Sequence, residues 1–230
     1  MIGLFVAALL LVEVTIGSFT GKAAADTRPV DASDPATPVT VSDDALPAPQ
    51  INGVVWTQAM VGNTVYVGGS FSNARPAGSP AGQNTVARGN MLAFDVTTGV
   101  LNPSFAPTFN GQIRSITVSP DKSRIYVGGE FTTVNGQTRR RIAAFNASTG
   151  ALITSFAPSV NYDVDAVVAT NDKVFIGGSF LGVGNASRQY LAAFTASNGA
   201  LLDWAPQATG GTVSAMTINP EGTRVVVGGS

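Results

Sequence analysis

Three arginines stand at equivalent points of this sequence, each five residues before the alanine of an Ala-Phe pair: Arg88, Arg139 and Arg188. A ring of guanidinium groups on one face of a repeating fold could hold carboxylate or sulfate groups bidentately. The alternative is structural, because a residue present in every repeat can serve to fix the same loop in each. We favour the structural role, since a single ligand on a pseudo-symmetric scaffold is usually bound by the residues that differ between the repeats.

Residues that differ between the repeats are therefore better binding candidates. Arg139, Arg140 and Arg141 form a basic cluster, and Tyr190 adds an aromatic ring in the equivalent loop of the next repeat. An insertion at 74–84 lengthens the corresponding loop of the first repeat. Loops on a rigid scaffold commonly carry binding. We predict one ligand-binding rim, and its candidate residues are Arg88, Arg139, Arg140, Arg141, Arg188 and Tyr190. Ordinary surface variation is the alternative for each of them singly.

Two carboxylates alternate in the stretch NYDVDAVV, as Asp163 and Asp165. With backbone carbonyls they could bind Ca²⁺, although the spacing does not match an EF-hand loop. Two acids on one strand seldom flank a glycosidic bond, which speaks against a glycosidase pair. Trp56 and Trp204 could stack on sugars or could equally belong to the core. No cofactor other than this Ca²⁺ is expected.

The composition removes several kinds of chemistry. The 230-residue chain has no Cys and no His, which excludes disulfides, thiolate metal sites and every histidine-dependent triad. The net charge of −1 gives no global attraction for nucleic acid or an anionic membrane. A content of 26 Gly with 12% charged residues suits short strands joined by tight turns. We predict a protein that is not an enzyme, has no catalytic residues and binds no nucleic acid.

The first 25 residues form a separate segment. The apolar run at 2–12 is followed by KAAAD, which contains an A-x-A cleavage pattern typical of a secretory signal peptide. The run is shorter than the roughly 20 apolar residues that cross a bilayer. An uncleaved anchor is the alternative, and either would place the rest of the chain outside the cytoplasm. Residues 26–50 are rich in Pro, Asp and Thr and are predicted to be a linker. We expect a secreted or cell-surface protein without a membrane span in the mature chain.

One strand-like phrase that ends in two glycines occurs four times, as VYVGGSF, IYVGGEF, VFIGGSF and VVVGGS. A period near 50 residues is the signature of a solenoid, propeller or array. The glycine pairs predict points where backbones pack closely or bulge; the first three pairs are Gly68 with Gly69, Gly128 with Gly129, and Gly177 with Gly178. Three further aromatics at repeated positions, Phe94, Phe145 and Phe194, are predicted to fill the core between sheets.

Each repeat contains four strand-like runs, which in the second repeat are 113–119, 124–131, 141–147 and 151–157. Turn residues join the first two runs, and Gly150 is expected to supply a positive φ between the last two. Four antiparallel strands repeated radially make a β-propeller blade. We predict an all-β fold, a β-propeller of four-stranded kelch-like blades at 51–109, 110–160 and 161–209, with a partial blade at 210–230. Propellers close with about 4–8 blades, so we interpret the chain as the N-terminal portion of a longer propeller. The alternative is a half-propeller that pairs with another chain.

The stretch IYVGGEF…RRRIAAFNASTGAL resembles the kelch-type repeat. It is more similar to a family of secreted bacterial β-propeller repeats of unknown function, written YVGGxF…AAFD…TG and often found with PKD-type modules. A related pattern occurs in fungal cortical polarity-marker proteins. The resemblance covers 51–230 and implies propeller architecture and an exported location, without a general activity.

We therefore expect an exported, non-enzymatic β-propeller that acts as a binding or display scaffold at the cell surface. Its partner would be an extracellular protein or a glycan. Two alternatives stay open. One is a carbohydrate-binding propeller attached to a downstream hydrolase, and the other is part of a kelch-like or quinoprotein-like propeller oxidoreductase.

Overall fold

The computed structural model describes residues 46–230. The predicted signal peptide at 1–25 and most of the predicted linker at 26–50 lie outside the described residues. Residues 46–49 have no regular structure, and Gln50 already pairs with Arg75. Every regular element in the described range is a β-strand, so this part of the chain holds no helix that could cross a membrane.

The strands are short and follow one another at regular intervals. In chain order they are β1 (Gln50–Ile51), β2 (Val54–Val61), β3 (Thr64–Ser70), β4 (Asn73–Arg75), β5 (Val86–Ala87), β6 (Met91–Asp95), β7 (Ile113–Val118), β8 (Arg124–Gly129), β9 (Thr133–Val134), β10 (Gln137–Thr138), β11 (Ile142–Asn146), β12 (Val164–Ala169), β13 (Lys173–Gly178), β14 (Gly182–Val183), β15 (Ala186–Ser187), β16 (Leu191–Thr195), β17 (Val213–Ile218) and β18 (Val225–Gly229).

The longer strands form four antiparallel sheets, here called blades 1 to 4. Their strand orders are β2-β3-β6, β7-β8-β11, β12-β13-β16 and β17-β18. In each of the first three blades, two small strands pair in the loop between the second and third strands, and in blade 1 the strand β1, which precedes β2, adds to this ribbon. Neighbouring blades are joined along their first strands, because the amide of Ile116 donates to Thr57 Oγ1 and that of Val167 donates to Ser115 Oγ, both at 3.0 Å.

The fourth run of each repeat differs from the sequence expectation. It pairs with the third strand at one bridge per blade instead of along a ladder, and in blade 2 this bridge joins Phe145 to Leu152. The chain then turns inward and buries Phe156 against Tyr126, with ring centroids 5.3 Å apart. The fourth run therefore stops pairing with the third strand where Phe156 turns into the core. The turn that precedes this run is confirmed, since Gly150 has a φ of +71°.

The two glycines of each pair are required for different reasons. A Cβ on Gly128 would stand 2.6 Å from Val164 Cγ1 and 2.7 Å from Val167 Cγ2, in the first strand of the next blade. A Cβ on Gly129 would stand 2.2 Å from the carbonyl oxygen of Gln112, in its own blade. The first glycine therefore lets two blades approach, and the second makes room for a bulge in the neighbouring strand.

The core runs from blade to blade. One buried cluster joins residues of blades 1 and 2, and another joins blades 2 and 3. Phe145 and Phe194 are fully buried and Phe94 is half-buried, which agrees with their predicted place between the sheets. A single blade could not bury both of its faces, so each depends on its neighbours.

Candidate functional site

A β-bulge interrupts the first strand of every blade at the same point. In blade 1 the register shifts between Val55 and Thr57, and the equivalent shifts occur in the other three blades. A bulge leaves one residue unpaired and re-aims its side chain. The four bulge residues carry an indole, a guanidinium, a carboxylate and a hydroxyl: Trp56, Arg114, Asp165 and Ser214. Because the first strands lie side by side, these unlike groups form an arc.

A second variable position lies just before the third strand. Asn90, Arg141 and Tyr190 occupy it, with φ of +69°, +70° and +66°. Asn tolerates this left-handed backbone, and the Asn90 side chain bonds to the backbone of Phe71, Phe109 and Gly111. For Arg141 and Tyr190 the same backbone costs about 1–2 kcal/mol, which glycine would avoid. Strain kept at the same place in two adjacent blades motivates a functional interpretation. The sequence predicted Arg141 and Tyr190 as rim residues, and the structure puts them at equivalent positions of adjacent blades.

Arg141 connects blade 2 to the segment just before the first strand of blade 3. Its Nη1 lies 3.0 Å from Asp163 Oδ1, and it also donates to the carbonyl oxygen of Glu130. Its guanidinium carbon lies 5.9 Å from the centroid of the Tyr162 ring, and Tyr162 is 56% exposed. The Arg141 guanidinium and the exposed Tyr162 ring therefore lie together where blade 2 meets blade 3.

Glu130 accepts hydrogen bonds from two side chains at the first strand of its own blade. It accepts from Gln112 Nε2 at 2.7 Å and from Arg114 Nε at 3.0 Å. Arg114 in turn stacks on Trp56, 5.5 Å from the ring centroid, and Trp56 Nε1 donates to Gln112 Oε1 at 3.0 Å. Trp56 is 51% exposed. We call the following set the polar face: Trp56, Gln112, Arg114, Glu130, Arg141, Tyr162, Asp163 and Asp165.

The three carboxyl groups of the polar face titrate differently. Burial would raise the pKa of Glu130, but hydrogen bonds from Gln112 and Arg114 and the positive charges nearby outweigh it, so this pKa lies below its ordinary value. Burial raises the pKa of Asp163, and the charge of Arg141 offsets only part of the rise. Burial also raises the pKa of Asp165; the charge of Arg114 offsets part of this rise, and the charges of Asp163 and Glu130 add to it. The fold therefore disfavours the ionisation of both Asp163 and Asp165, in contrast to that of Glu130.

The three arginines that repeat in every blade are turned toward the chain's own backbone. Arg139 donates from Nη1 to the Thr138 carbonyl at 2.7 Å and from Nη2 to the Thr154 carbonyl at 3.3 Å. Arg88 and Arg188 make the equivalent pairs of bonds. Each arginine thereby ties the long loop of its blade to the segment after the third strand. Arg140 is exposed, so the cluster RRR places its three side chains in three different environments.

The remaining predicted candidates lie apart. Trp204 packs edge-to-face on Phe175, with ring centroids 5.1 Å apart. It lines a cleft of about 970 Å³ between the turns that follow β12 and β17, at the end of these strands opposite the bulges. Asp163, a candidate for Ca²⁺, is paired with Arg141. Across residues 46–230, no three His, Cys, Asp or Glu side chains are grouped as a metal site.

Four members of the polar face were missed by the sequence reasoning: Gln112, Arg114, Glu130 and Tyr162. A signal for two of them was present as a departure from the repeat. Glu130 breaks the phrase VGGSF, which has Ser at that point in the other copies. In the first two repeats the equivalent Asn is followed by a glycine, Gly53 or Gly111. In the third repeat it is followed by Tyr162. Residues that depart from the repeated pattern thus indicate this site in the sequence.

Comparison with known proteins identifies one family. The family model described as the Rax2 C-terminal beta propeller domain matches residues 91–230, which is more than half of the chain. No curated protein matches. Among solved structures, the computationally designed Ika4 protein is similar with a TM-score of 0.51 at 13% identity, over 81% of this chain and 98% of that one. The computationally designed Ika8 protein gives 0.48 at 15% identity, over 75% of this chain and 42% of that one. At these identities the first likeness concerns the fold alone.

Proposed function

The chain belongs to the family of Rax2 C-terminal β-propeller domains, and on that premise we propose that it is an exported, non-enzymatic binding scaffold at the cell surface. The family match and the all-β architecture confirm the predicted β-propeller fold. The exported location is inferred from the apolar run and the A-x-A pattern near the N-terminus. The kelch-like character of the repeats and their likeness to secreted bacterial repeats belong to the same proposal.

The observation that carries a binding role is the variation at the bulge. In the first three blades the glycines that pack on the next blade, the arginines that tie the long loops and the core aromatics are the same residue types. The bulge position changes from Trp56 to Arg114 to Asp165. A site for one asymmetric ligand on a pseudo-symmetric fold requires such a change. We therefore place the ligand on the polar face, across the junctions of blades 1, 2 and 3.

The ligand class that the polar face fits best is a glycan. Trp56 and Tyr162 each expose about half of their surface, which suits stacking against the C–H face of a sugar ring. Asp165, three residues after Tyr162 at the bulge of blade 3, would offer a hydrogen-bonding group for hydroxyls. We assign no catalytic residue, since Glu130 and Asp163 serve as partners of Arg114 and Arg141 in ion pairs.

The test is binding of the full chain to a glycan array, followed by affinity measurements on the strongest hit. We expect Trp56→Ala and Tyr162→Ala each to weaken binding by about tenfold or more, because each removes one stacking surface. Val100→Ala is the matched control, since Val100 is 63% exposed on the turn before the fourth run. It should leave the affinity unchanged.

Two results would contradict parts of the proposal. If the chain binds glycans and neither aromatic variant changes the affinity, the polar face is not the site. If an extracellular protein binds instead, and the same variants abolish that binding, the face stands and the glycan is wrong. Arg141→Ala and Arg140→Ala form a second matched pair, because only Arg141 belongs to the polar face.

A further inference from the structure

We propose that the polar face selects glycans that carry an N-acetyl group, and that Asn161 and Leu181 bind this group at its edge, next to Tyr162. This inference rests on the proposed function, because it names the class of glycan for the same site. Two changes in the third repeat carry it, one in a hydrogen bond and the other in an exposed side chain.

An asparagine precedes the first strand of each of the first three blades and holds the start of the long loop. In blade 2 the Asn110 Oδ1 accepts hydrogen bonds from the amides of Thr132 and Thr133, at 2.8 and 2.9 Å. The Asn110 Nδ2 group donates to Thr132 Oγ1 at 2.8 Å. Blade 1 has the same arrangement, in which Asn52 Nδ2 donates to Ser72 Oγ at 2.9 Å. The asparagine of these two blades therefore uses both ends of its amide inside the protein.

Blade 3 keeps only half of this arrangement. The Asn161 Oδ1 accepts from the amides of Leu181 and Gly182, both at 3.1 Å, so this side chain is oriented as in blade 2. Leucine has no hydroxyl to accept the other hydrogen bond, and within residues 46–230 the Asn161 Nδ2 group donates to no acceptor. Because Asn161 is exposed, this donor is open to a bound molecule.

The residue that replaces the hydroxyl is apolar and exposed. Leu181 is 55% exposed and stands where the first two blades have Ser72 and Thr132. Since the asparagine has the same orientation, its free N–H group faces the side chain at this position, as it faces the threonine hydroxyl in blade 2. A donor without an internal partner and an apolar surface thus lie together. They fit a ligand group in which an acceptor adjoins a methyl group.

On a glycan, the N-acetyl group has these two parts. Its carbonyl oxygen accepts from Asn161 Nδ2, and its methyl group packs on Leu181. The exposed ring of Tyr162, which directly follows Asn161, stacks on the sugar. A carboxylate or sulfate fits less well, because Arg141, the cation that contacts Tyr162, is already paired with Asp163 at 3.0 Å.

The experiment measures the affinity of the full chain for two β-1,4-linked tetramers, one of N-acetylglucosamine and one of glucose, by isothermal titration calorimetry. The two ligands differ in one group on each ring, which is N-acetyl in the first and hydroxyl in the second. We expect the acetylated tetramer to bind about tenfold more tightly, since it adds a hydrogen bond and a methyl contact.

Two variants remove the parts of the subsite. Leu181→Thr restores the residue type of blade 2, so that Asn161 donates internally and the apolar contact is lost. Asn161→Asp keeps the acceptor for the two loop amides and removes the donor. Each should weaken binding of the acetylated tetramer by about tenfold and leave the glucose tetramer within about twofold. Val86→Thr, the matched change at a 39% exposed residue in the long loop of blade 1, should alter neither affinity.

The outcomes separate this inference from the proposed function. Equal affinities for the two tetramers, both weakened by Tyr162→Ala, overturn the N-acetyl inference and leave the polar face as a glycan site. A preference that neither Leu181→Thr nor Asn161→Asp reduces also overturns it. If neither tetramer binds, the inference is wrong, and the glycan array decides the proposed function by itself. Circular dichroism of each variant checks that it is folded.

Discussion

Substituting Gly128 by alanine tests the blade-to-blade packing on which the architecture depends. The added Cβ would lie 2.6 Å from Val164 Cγ1 and 2.7 Å from Val167 Cγ2, where ordinary contacts are 3.4–4 Å. Both valines are buried, at 0% and 4% exposure, and their branched side chains have little rotameric freedom. The two blades must therefore separate by nearly 1 Å to accept one methyl group.

The chain contains its own control at the fourth copy of the phrase. Alanine in place of glycine inside a strand gains about 0.5–1 kcal/mol at either position, and Gly228→Ala meets nothing within 4 Å. Gly128→Ala bears in addition the cost of overpacking, about 1–3 kcal/mol. The free energies of unfolding of the two variants should thus differ by about 1–3 kcal/mol, which is roughly 0.5–1.5 M in urea midpoint for a slope of about 2 kcal/mol/M.

The assay is urea unfolding followed by far-ultraviolet circular dichroism, at a concentration where sedimentation shows a monomer. Adding Val164→Ala to Gly128→Ala removes the nearest methyl groups. The double variant should therefore lose less than the sum of the single losses, by about 1 kcal/mol or more. Equal midpoints for Gly128→Ala and Gly228→Ala would refute the packing argument.

Three further predictions concern charged groups. The pKa of Glu130 is lowered, so Glu130→Gln should destabilise at pH 7, and the difference should vanish as the pH falls well below the ordinary value of 4.5. The pKa of Asp165 is raised, so its ionisation costs stability as the pH rises above the ordinary value of 3.8; Asp165→Asn should stabilise at pH 7 and make no difference in acid. Arg139→Met should cost about 1–3 kcal/mol by leaving the Thr154 carbonyl without its donor, whereas exposed Arg140→Met should stay within about 0.5 kcal/mol. Urea midpoints across pH measure all of them.

Much of the fold could be predicted from the sequence, because it is local and repeated. The glycine pairs were expected to mark close packing or a bulge, and the structure shows one of each for the first three pairs. The fourth run was expected to be a strand and is a single bridge at Leu152. The sequence pattern could not reveal this, since a β-like run does not show that Phe156 leaves the ladder to cover Tyr126.

The site could be predicted only in part. Arg141 and Tyr190 were recognisable as differing loop residues, and their common left-handed backbone follows from the structure alone. The partnership of Trp56, Gln112 and Glu130 joins residues from two blades. It depends on the stagger between blades, which no local pattern specifies. The Ser-to-Glu change at Glu130 was nevertheless visible in the repeated phrase.

The most direct test of a ligand site on the polar face uses the two tryptophans of the chain as reporters. Trp56 lies on the polar face and Trp204 lies in the cleft at the opposite end of the strands. A ¹⁵N-labelled full chain should give one indole N–H signal from each, assigned with Trp56→Phe. Titration with the glycan that binds most strongly should shift the Trp56 signal and leave the Trp204 signal in place. A shift of the Trp204 signal alone would contradict the account and place the ligand in the cleft.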